Sequence, residues 1–232
     1  MIEPIAYFYN NIEGFDRKEI KKIAIGSKYV GVLLNNGNIG VCATLGVEVS
    51  VSQSKFKHLD IIDPAHRIIY NAYLNAKLNY DKSYKAEKDI FDQIDFYPKK
   101  NIVMVGYFKP LVKKFQESDI ELIIFDKVTK DDEMLIAIEL MEEYLADAGT
   151  VILTSTTIAN GSFQAIIEQT ADDCDILLLG PSSILHPDMF KYRNIKNIFG
   201  AVFEKNDHRI LEIIKNGNGT RTFLPFGSKV YI

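Results

Sequence analysis

The C-terminal half of the sequence alternates short apolar runs with segments of helical periodicity, and this rhythm limits the available folds more than any other feature. Predicted strands cover residues 102–105, 121–125, 150–154, 175–179 and 197–203. Predicted helices cover residues 110–116, 130–147, 161–171 and 208–215. Apolar strands that alternate with helices form a parallel sheet covered on both faces. We therefore predict a Rossmann-like α/β fold with a mostly parallel sheet from about Asn101 onward.

The N-terminal part of the chain has a different pattern, which predicts a smaller α+β unit. Asn36-Gly37 stands between two β-rich runs, and this pair supplies the positive φ angles of a tight hairpin. Residues 64–80 carry an apolar stripe behind the Asp63-Pro64 start signal, which predicts a helix. Residues 16–24 have apolar residues at helical spacing, and the basic residues among them would form a solvated helix face.

A change of composition separates the two parts. Residues 81–99 are polar and lysine-rich and end in Tyr97-Pro98. Domain boundaries commonly fall in such segments. We therefore predict an N-terminal domain over residues 1–98 and a Rossmann-like domain over residues 99–232.

Charge and cysteine content narrow the class of protein. The formal charge of −4 and the isoelectric point near 5.6 argue against a nucleic-acid partner. No apolar run is long enough to span a bilayer, and the first residues lack signal-peptide character. Cys42 and Cys174 lie in separate apolar runs and form no C-x-x-C pair. We therefore expect a cytoplasmic protein with buried, reduced thiols and no membrane partner.

Ligands of open α/β sheets bind beyond the carboxyl ends of the strands, so the residues there are the first candidates. Gly106 follows the first predicted strand and lets a ligand approach the backbone, and Pro110 suits the first turn of the next helix. This loop is not G-x-G-x-x-G, so a dinucleotide clamp is not supported. Asp126 ends the second strand, 20 residues after Gly106. Asp126 is either the acceptor of a ribose diol or a solvated aspartate.

Hydroxyl side chains follow the third predicted strand. Residues 154–157 read Thr-Ser-Thr-Thr, and Asn160-Gly161 precedes a predicted helix. Backbone N–H groups and the helix dipole at such a place favour a carboxylate or a phosphate. Helix capping alone is the alternative, but capping accounts for a single residue. We favour a binding loop that includes Thr154, Thr156 and Thr157.

The fourth predicted strand is followed by Gly180, Pro181 and Ser182. Ser182 and the adjacent Ser183 can face the same cleft as the threonine-rich loop. Ser182 lacks a G-x-S-x-G elbow, so a nucleophile role is not expected. His186 could bind a metal or move protons, although a lone loop histidine is more often structural.

These loops resemble those of a known family. The motifs Gly106-x-Phe108-x-Pro110, Thr154-x-Thr156-Thr157-x-x-Asn160-Gly161 and Leu179-Gly-Pro-Ser182 occur in the same order as in the "Putative heavy-metal chelation" family. The resemblance covers residues 10–217 and includes the hairpin from Gly31 to Gly40. It implies an enolase N-terminal-like domain beside a Rossmann-like domain, with the ligand site in the cleft between them.

The resemblance also implies which residues border that cleft. They are Gly106, Phe108, Pro110, Thr156, Thr157, Asn160, Gly161, Gly180, Pro181 and Ser182, with Gly40 and Thr44 approaching from the smaller domain. The family name points to heavy metals, which favour thiolate and imidazole ligands. The matching loops offer hydroxyls, one amide and backbone groups instead. Any metal would have to find its ligands among His186, Asp126, Cys42 and Cys174.

Three functions stay open at this point. The protein could handle a transition-metal ion or a metal-bearing cofactor, or it could be a metal-independent enzyme for an adenosine-containing ligand such as a nucleotide or a methyl donor. It could also be a non-catalytic sensor of such a ligand, because the fold alone does not choose. Residues 220–227 have strand character and could pair with the small domain or with a second subunit, so a homodimer is a further expectation.

Overall fold

The computed structural model describes residues 2–12, 14–50, 59–80, 85–86, 90–99, 101–127 and 134–232. The strands of this part of the chain are β1 Ile20–Ile25, β2 Tyr29–Leu34, β3 Ile39–Ala43, β4 Lys85–Ala86, β5 Ile102–Val105, β6 Ile123–Phe125, β7 Thr150–Thr154, β8 Asp175–Leu179, β9 Ile195–Phe203 and β10 Gly227–Tyr231. The helices are α1 Pro4–Asn11, α2 Pro64–Leu78, α3 Ile90–Gln93, α4 Lys109–Glu117, α5 Met141–Ala146, α6 Thr156–Asn160, α7 Phe163–Glu168, α8 His208–Lys215 and α9 Thr220–Phe223. Short 3₁₀ turns cover Arg17–Glu19, Ile138–Leu140, Pro187–Lys191 and Leu224–Phe226.

The larger sheet has seven described strands in the order β4-β10-β9-β8-β7-β5-β6. The pairs from β6 to β9 are all parallel, whereas β10 joins β9 and β4 joins β10 in antiparallel fashion. Every residue of β5 is buried, as expected for a strand covered on both faces. In chain order the parallel strands are arranged 2-1-3-4-5, which is a doubly wound order. The predicted Rossmann-like, mostly parallel sheet is confirmed.

The smaller sheet is an antiparallel meander, β1-β2-β3. The predicted hairpin between β2 and β3 is present, with Gly37 at a φ of 91° and the Leu34 N–H donating to the Asn38 carbonyl over 2.9 Å. Helix α2 packs on one face of this sheet so closely that a Cβ at Gly40 would overlap the Ala72 carbonyl oxygen and the Ala76 nitrogen. Helix α8 covers the other face, where a Cβ at Gly26 would overlap the Ile214 carbonyl oxygen and a Cβ at Gly31 would crowd the side chains of Ile214 and Leu211.

The helix predicted over residues 16–24 is wrong, because the chain forms β1 there. Ile20–Ile25 pairs antiparallel with β2, and the register shifts between Ile20 and Lys22. The strand buries Ile20 and Ala24 and leaves Lys21 exposed. The edge of β2 offers backbone hydrogen-bond partners along the whole of β1. A nine-residue helix is only marginally stable by itself, so strand pairing prevails over the helical periodicity of the sequence.

The long helix predicted over residues 130–147 is much shorter in the structure. Helix α5 covers Met141–Ala146, and its expected cap, Thr129 with Asp132, lies outside the described residues. Leu135 forms an isolated parallel bridge with Ile124, and the Ile136 N–H donates to the Ile124 carbonyl over 3.0 Å. The edge strand β6 therefore holds this segment extended and prevents a helix there.

The C-terminal segment also differs from its prediction. Residues 220–223 are helical as α9, and the strand begins only at Gly227. This strand, β10, pairs with β9 of the larger sheet and not with the small sheet. None of the helices in the described ranges is long and apolar enough to cross a membrane.

The two halves of the chain share a core. One hydrophobic cluster contains Val32 of β2, Tyr70 of α2 and Leu178 of β8. The Tyr80 hydroxyl also joins the two sheets, because its oxygen accepts from the N–H groups of Ile39 and Phe203 over 3.2 and 3.0 Å and its single proton can go to the carbonyl oxygen of either residue, at 2.9 and 3.0 Å. The boundary between residues 98 and 99 stays a prediction.

The close contact between β3 and α2 gives a stability prediction. Gly40→Ala places a methyl group against the backbone of α2, so the helix must shift away from the sheet. We expect the free energy of unfolding to fall by about 1–3 kcal/mol, as in other overpacked cores. Urea denaturation followed by circular dichroism measures the change. Gly14→Ala is the matched control, since a Cβ at Gly14 meets no atom within 4 Å; equal stability of the two variants would contradict the prediction.

Candidate functional site

A cavity of about 380 Å³ lies at the carboxyl ends of β5, β7, β8 and β9. Its position includes the switch point between β5 and β7, where doubly wound sheets bind ligands. It is lined by Tyr29, Ile90, Tyr107, Phe108, Pro110, Leu111, Lys114, Thr154, Ser155, Thr156, Leu179, Gly180, Pro181, Phe199, Gly200, Ala201, Thr220, Leu224, Lys229 and Val230. The small sheet contributes Tyr29, so both parts of the chain reach the cavity.

The floor of the cavity is the face of the sheet over β8, β9 and β10. Leu179 pairs with Phe199, and Ala201 pairs with Lys229. Directly opposed residues of neighbouring strands point to the same face, and residues two apart on one strand do so as well. The floor is therefore apolar at Leu179, Phe199 and Ala201, and ends in the lysine of β10.

Helix α4 forms one wall of the cavity. Phe108, Leu111 and Lys114 line it from successive turns of one helix face. The helix begins without a side-chain cap at Phe108. Its buried residues Leu111, Val112 and Phe115 belong to one hydrophobic cluster with residues from β5 to β9, among them Phe199 of the floor. The α4 wall and the floor of the cavity are therefore parts of one core.

The hydroxyl loop after β7, Thr154–Thr156, forms the rim of the cavity. Thr154 Oγ1 and Thr156 Oγ1 lie 3.0 Å apart and share a hydrogen bond. Ser155 is fully buried, and its Oγ is without a hydrogen-bond partner among the described residues. A buried hydroxyl without a hydrogen-bond partner is costly.

Two glycines make this close arrangement possible. Gly106 has a φ of 99° and Gly180 a φ of 135°, values that only glycine adopts readily. A Cβ at Gly106 would lie 2.8 Å from Cβ of Thr154, and one at Gly180 would lie 2.7 Å from Oγ of Ser155. The strand-end glycines therefore allow three neighbouring loops to meet at the hydroxyl rim.

The charged residues of the described lining are all of one sign. Lys114 and Lys229 are its charged members, and the described lining residues include no aspartate, glutamate, histidine or cysteine. Lys114 is half-buried, with its Nζ 5.8 Å from the centre of the Phe91 ring, and Lys229 is exposed. The described part of the lining is thus apolar and hydroxyl-bearing, and its two charged members are both cationic.

Several predicted residues lie together in the lining, namely Phe108, Pro110, Thr154, Thr156, Gly180 and Pro181. Gly106 lies directly behind Thr154. The sequence analysis did not single out Tyr29, Lys114, Phe199 or Lys229 as site residues. Ser155 could have been found, because it stands inside the predicted hydroxyl run. Lys229 could not, because it is recognisable only once β10 is known to pair with β9.

Other predicted residues lie outside the lining. Thr157 Oγ1 donates to the Thr154 carbonyl over 2.7 Å and is buried beneath the loop. Asp126 follows β6 at the edge of the sheet and is half-buried. Asn160 is exposed, and its Oδ1 accepts from the Ser162 N–H and hydroxyl over 2.9 and 2.7 Å.

The expected helix N-terminus at Asn160-Gly161 is a helix C-terminus instead. Gly161, at a φ of 78°, is the left-handed cap that ends α6, and α7 begins only at Phe163. The Arg67 guanidinium covers this end by donating to the carbonyl oxygens of Ala159 and Ile158 at 2.8 and 2.9 Å. The predicted helix N-terminus at these two residues is therefore wrong, and their part in ligand binding stays a prediction.

Ser182 anchors the loop after β8 to the small sheet and α2. Its Oγ accepts from the Ala43 N–H over 3.1 Å, and its carbonyl accepts from Asn71 Nδ2 over 2.9 Å. Asn75 and Asn79, one and two helical turns farther along α2, donate to the carbonyls of Pro181 and Ser183 over 3.3 and 2.9 Å. A row of buried asparagines therefore holds the loop.

The predicted metal candidates do not meet. His186 accepts from the Asp188 N–H over 3.1 Å through Nδ1 and caps a 3₁₀ turn beside Phe8. Gly40 and Thr44, which the resemblance places near the cleft, make other contacts. Gly40 packs on α2, and Thr44 Oγ1 donates to the Ser27 carbonyl over 2.8 Å. Within the described ranges, no three histidine, cysteine, aspartate or glutamate side chains come together where they could hold a metal ion.

Two family models cover most of the sequence. DUF364 matches residues 89–232 and DUF4213 matches residues 10–83, and both are described as "Putative heavy-metal chelation". The chain belongs to this family. No functionally curated protein matches the sequence significantly.

Crystal structures of two proteins of unknown function from the DUF364 family share the fold. The protein from Pyrococcus horikoshii is 21% identical with a TM-score of 0.77, and the match covers 92% of each chain. The protein from Desulfitobacterium hafniense DCB-2 is 18% identical with a TM-score of 0.78, and the match covers 98% of this chain and 96% of that one. At these identities the likeness establishes the fold alone.

The described cavity does not fit the metal named by the family. Heavy metals bind to thiolate and imidazole, and a divalent cation is repelled by neighbouring lysines. The cavity offers hydroxyls, aromatic rings and two lysines. We therefore derive no chemistry through a metal at this place.

The asparagine row gives a second stability prediction. Asn79 donates to the Ser183 carbonyl and accepts from the Leu185 N–H over 2.8 Å, both in the buried interior. Asn79→Ala leaves two buried backbone groups without partners, and we expect unfolding to require about 2–4 kcal/mol less. Thermal and urea unfolding measure the loss. The exposed Asn11, bonded only to the Tyr7 carbonyl among the contacts described, is the control, and its alanine variant should stay within about 0.5 kcal/mol of the parent.

The two thiols give a prediction about reactivity. Burial raises the pKa of Cys42 to about 12, although hydrogen bonds from Ser182 and Asn71 lower it in part. Burial also raises the pKa of Cys174 to about 12, and the charges of Asp175 and Asp173 act in the same direction. Since the thiolate is the reactive form, both thiols should resist iodoacetamide at pH 8 in the folded protein and react after unfolding in guanidinium. Intact mass spectrometry counts the adducts. Alkylation of the native protein as fast as the unfolded one would contradict the burial of these residues.

Proposed function

We propose that the protein binds a small organic anion in the cavity, with the apolar part of the ligand on the floor and its anionic part toward the lysines. The supporting observation is the composition of the lining: two lysines, no acidic side chain among the described lining residues, and an apolar floor. Small-molecule sites are typically concave and apolar with a few polar groups that fix orientation.

The apolar part of the ligand would lie on Leu179 and Phe199 beside the α4 wall. Phe108 and Leu111 face the floor from that wall, so a flat hydrocarbon or aromatic group would be buried from two sides. Burial of apolar surface supplies the bulk of the binding free energy in such sites. This part of the site is neutral and therefore sets affinity more than charge selectivity.

The polar part of the ligand would meet the hydroxyl rim and a lysine. Thr154 and Thr156 are half-buried at the rim, where their hydroxyls share a hydrogen bond, and a ligand oxygen could accept a hydrogen bond from them. Tyr29 adds a further hydroxyl from the small sheet, and burial raises its pKa, so the phenol stays protonated at neutral pH. Neutral hydroxyls and lysines together favour a carboxylate, phosphate or sulfonate over a cation.

Fluorescent probes test the proposal directly. The naphthalene sulfonate ANS is an aromatic anion, and N-phenyl-1-naphthylamine is a similar aromatic molecule without charge. We expect saturable binding of ANS that is tighter than that of the amine and weakens with added salt. Lys114→Gln and Lys229→Gln should each weaken ANS binding by about 3–10-fold, or about 0.7–1.4 kcal/mol, and leave the amine unchanged.

Lys113→Gln is the matched control for the charge. Lys113 precedes Lys114 on α4, is exposed, and pairs with Glu117 over 3.3 Å outside the cavity. This variant should bind ANS as the parent does. Equal affinity of the parent for the anionic and neutral probes would refute the proposal, as would equal effects of Lys113→Gln and Lys114→Gln.

A further inference from the structure

We infer that the anion bound in this cavity is aromatic, that is, a planar ring system that carries an anionic group. The inference rests on the proposed function, because it specifies the chemical class of the organic part of the ligand. Its basis is the set of aromatic side chains in the lining and the contacts that hold their rings. The aromatic residues of the described lining are Tyr29, Tyr107, Phe108 and Phe199.

The aromatic side chains reach the cavity from three separate places in the fold. Tyr29 lies on β2 of the small sheet, and Phe199 lies on β9 of the large sheet. Tyr107 and Phe108 lie between β5 and α4, where the wall of the cavity begins. A ligand that fills the space between these elements therefore meets aromatic rings on more than one side.

The ring of Phe199, in the floor, is held in place by a neighbouring ring. Phe199 pairs with Tyr231 across β9 and β10, and the two rings are stacked with their centroids 5.6 Å apart and an angle of 26° between their planes. Phe199 is also buried in the cluster that contains Leu111 of the α4 wall. Because these contacts fix the ring beforehand, a ligand that binds to it costs little side-chain entropy.

The ring of Tyr29 is held in a similar way from the other part of the chain. Phe223 of α9 contacts it edge to face, with the centroids 4.9 Å apart and the planes at 79°. Phe223 is fully buried and makes a second edge contact with Phe203 of β9 at 6.0 Å. This series of rings anchors Tyr29 to the core, so the aromatic lining is preorganised at Tyr29 as well as at Phe199.

Phe108 adds a ring at the start of the α4 wall. It is half-buried and packs against the hydrophobic cluster that contains Leu111 and Phe199. The aromatic groups of the wall and of the floor therefore border one continuous apolar surface. A flat ligand on this surface can contact both at once.

An aromatic ligand gains from such a lining in a way that a saturated one does not. An aromatic ring has negative faces and positive edges, so it attracts other rings in stacked or edge-to-face contact beyond the effect of the area it buries. A saturated ring of the same carbon number buries at least as much apolar surface but lacks this charge distribution. The cavity, at about 380 Å³, is near the lower end of the range for small-molecule sites, roughly 300–1,000 Å³, and this size favours one or two rings.

Two carboxylic acids with the same charge and the same carbon skeleton test the inference. One is 2-naphthoate, which is planar and aromatic, and the other is decahydro-2-naphthoate, its fully saturated counterpart. Isothermal titration calorimetry with the wild-type protein measures the Kd of each acid. We expect naphthoate to bind about 3–10-fold more tightly, equivalent to about 0.7–1.4 kcal/mol, which is typical of aromatic pairs. Apolar burial alone predicts equal affinities or tighter binding of the saturated acid.

Variants of the lining rings locate the aromatic contact. Phe108→Leu and Phe199→Leu keep an apolar side chain without a ring, and each should lower the preference for naphthoate by about twofold or more. Phe163→Leu is the matched control, because Phe163 is also buried but packs on Tyr192 outside the described lining. This variant should keep the preference of the parent. Circular dichroism confirms that each variant is folded, and the ratio of two affinities on one variant is insensitive to a general loss of stability.

The outcomes separate this inference from the proposed function. Equal or tighter binding of the saturated acid overturns the aromatic ligand, and so does the absence of binding by both acids. A preference for naphthoate that persists unchanged in both Phe108→Leu and Phe199→Leu also overturns it, since these rings then do not recognise the ligand. A failure of the proposed function appears instead in the comparison of the two fluorescent probes, which are both aromatic and differ in charge.

Discussion

The row of buried asparagines on α2 is the interaction on which the cavity depends. Asn71, Asn75 and Asn79 lie one turn apart on one helix face, and all are buried. They donate to the carbonyls of residues 181–183 in the irregular loop after β8. A loop without regular structure can be buried only where side chains satisfy its backbone, and α2 supplies those side chains.

This arrangement joins the two parts of the chain at the site. Asn75 Nδ2 also donates to the Val41 carbonyl of β3 over 2.9 Å, so one side chain bonds the small sheet and the loop of the large sheet. The loop in turn brings Gly180 against Ser155, and Gly180 must be glycine for that approach. The small sheet also contributes Tyr29 to the cavity lining. The cavity is therefore a product of both parts, although its floor belongs to the larger sheet.

Much of the fold and part of the site could be predicted from the sequence. The strands of the larger sheet were recognisable because their apolar runs are buried on both faces, and the loops after them follow from strand order. The segment before α5 and the strand β1 were mispredicted because each pairs with a neighbouring strand, and the periodicity of a sequence does not show which segments pair. Lys114 and Lys229 were overlooked as site residues for the same reason, since each reads as an ordinary surface lysine in its own element.

The sequence by itself determined a Rossmann-like sheet, a hairpin at Asn36-Gly37, and hydroxyl and glycine residues at the strand ends. These are local properties, because the pattern of neighbouring residues is enough to predict side-chain burial, turn geometry and strand length. Only the tertiary structure decided that Asn160-Gly161 ends a helix, that β10 returns beside β9, and that two distant lysines share one cavity. These features depend on contacts between residues far apart in the chain. Such contacts form, and contribute to stability, only in the assembled fold.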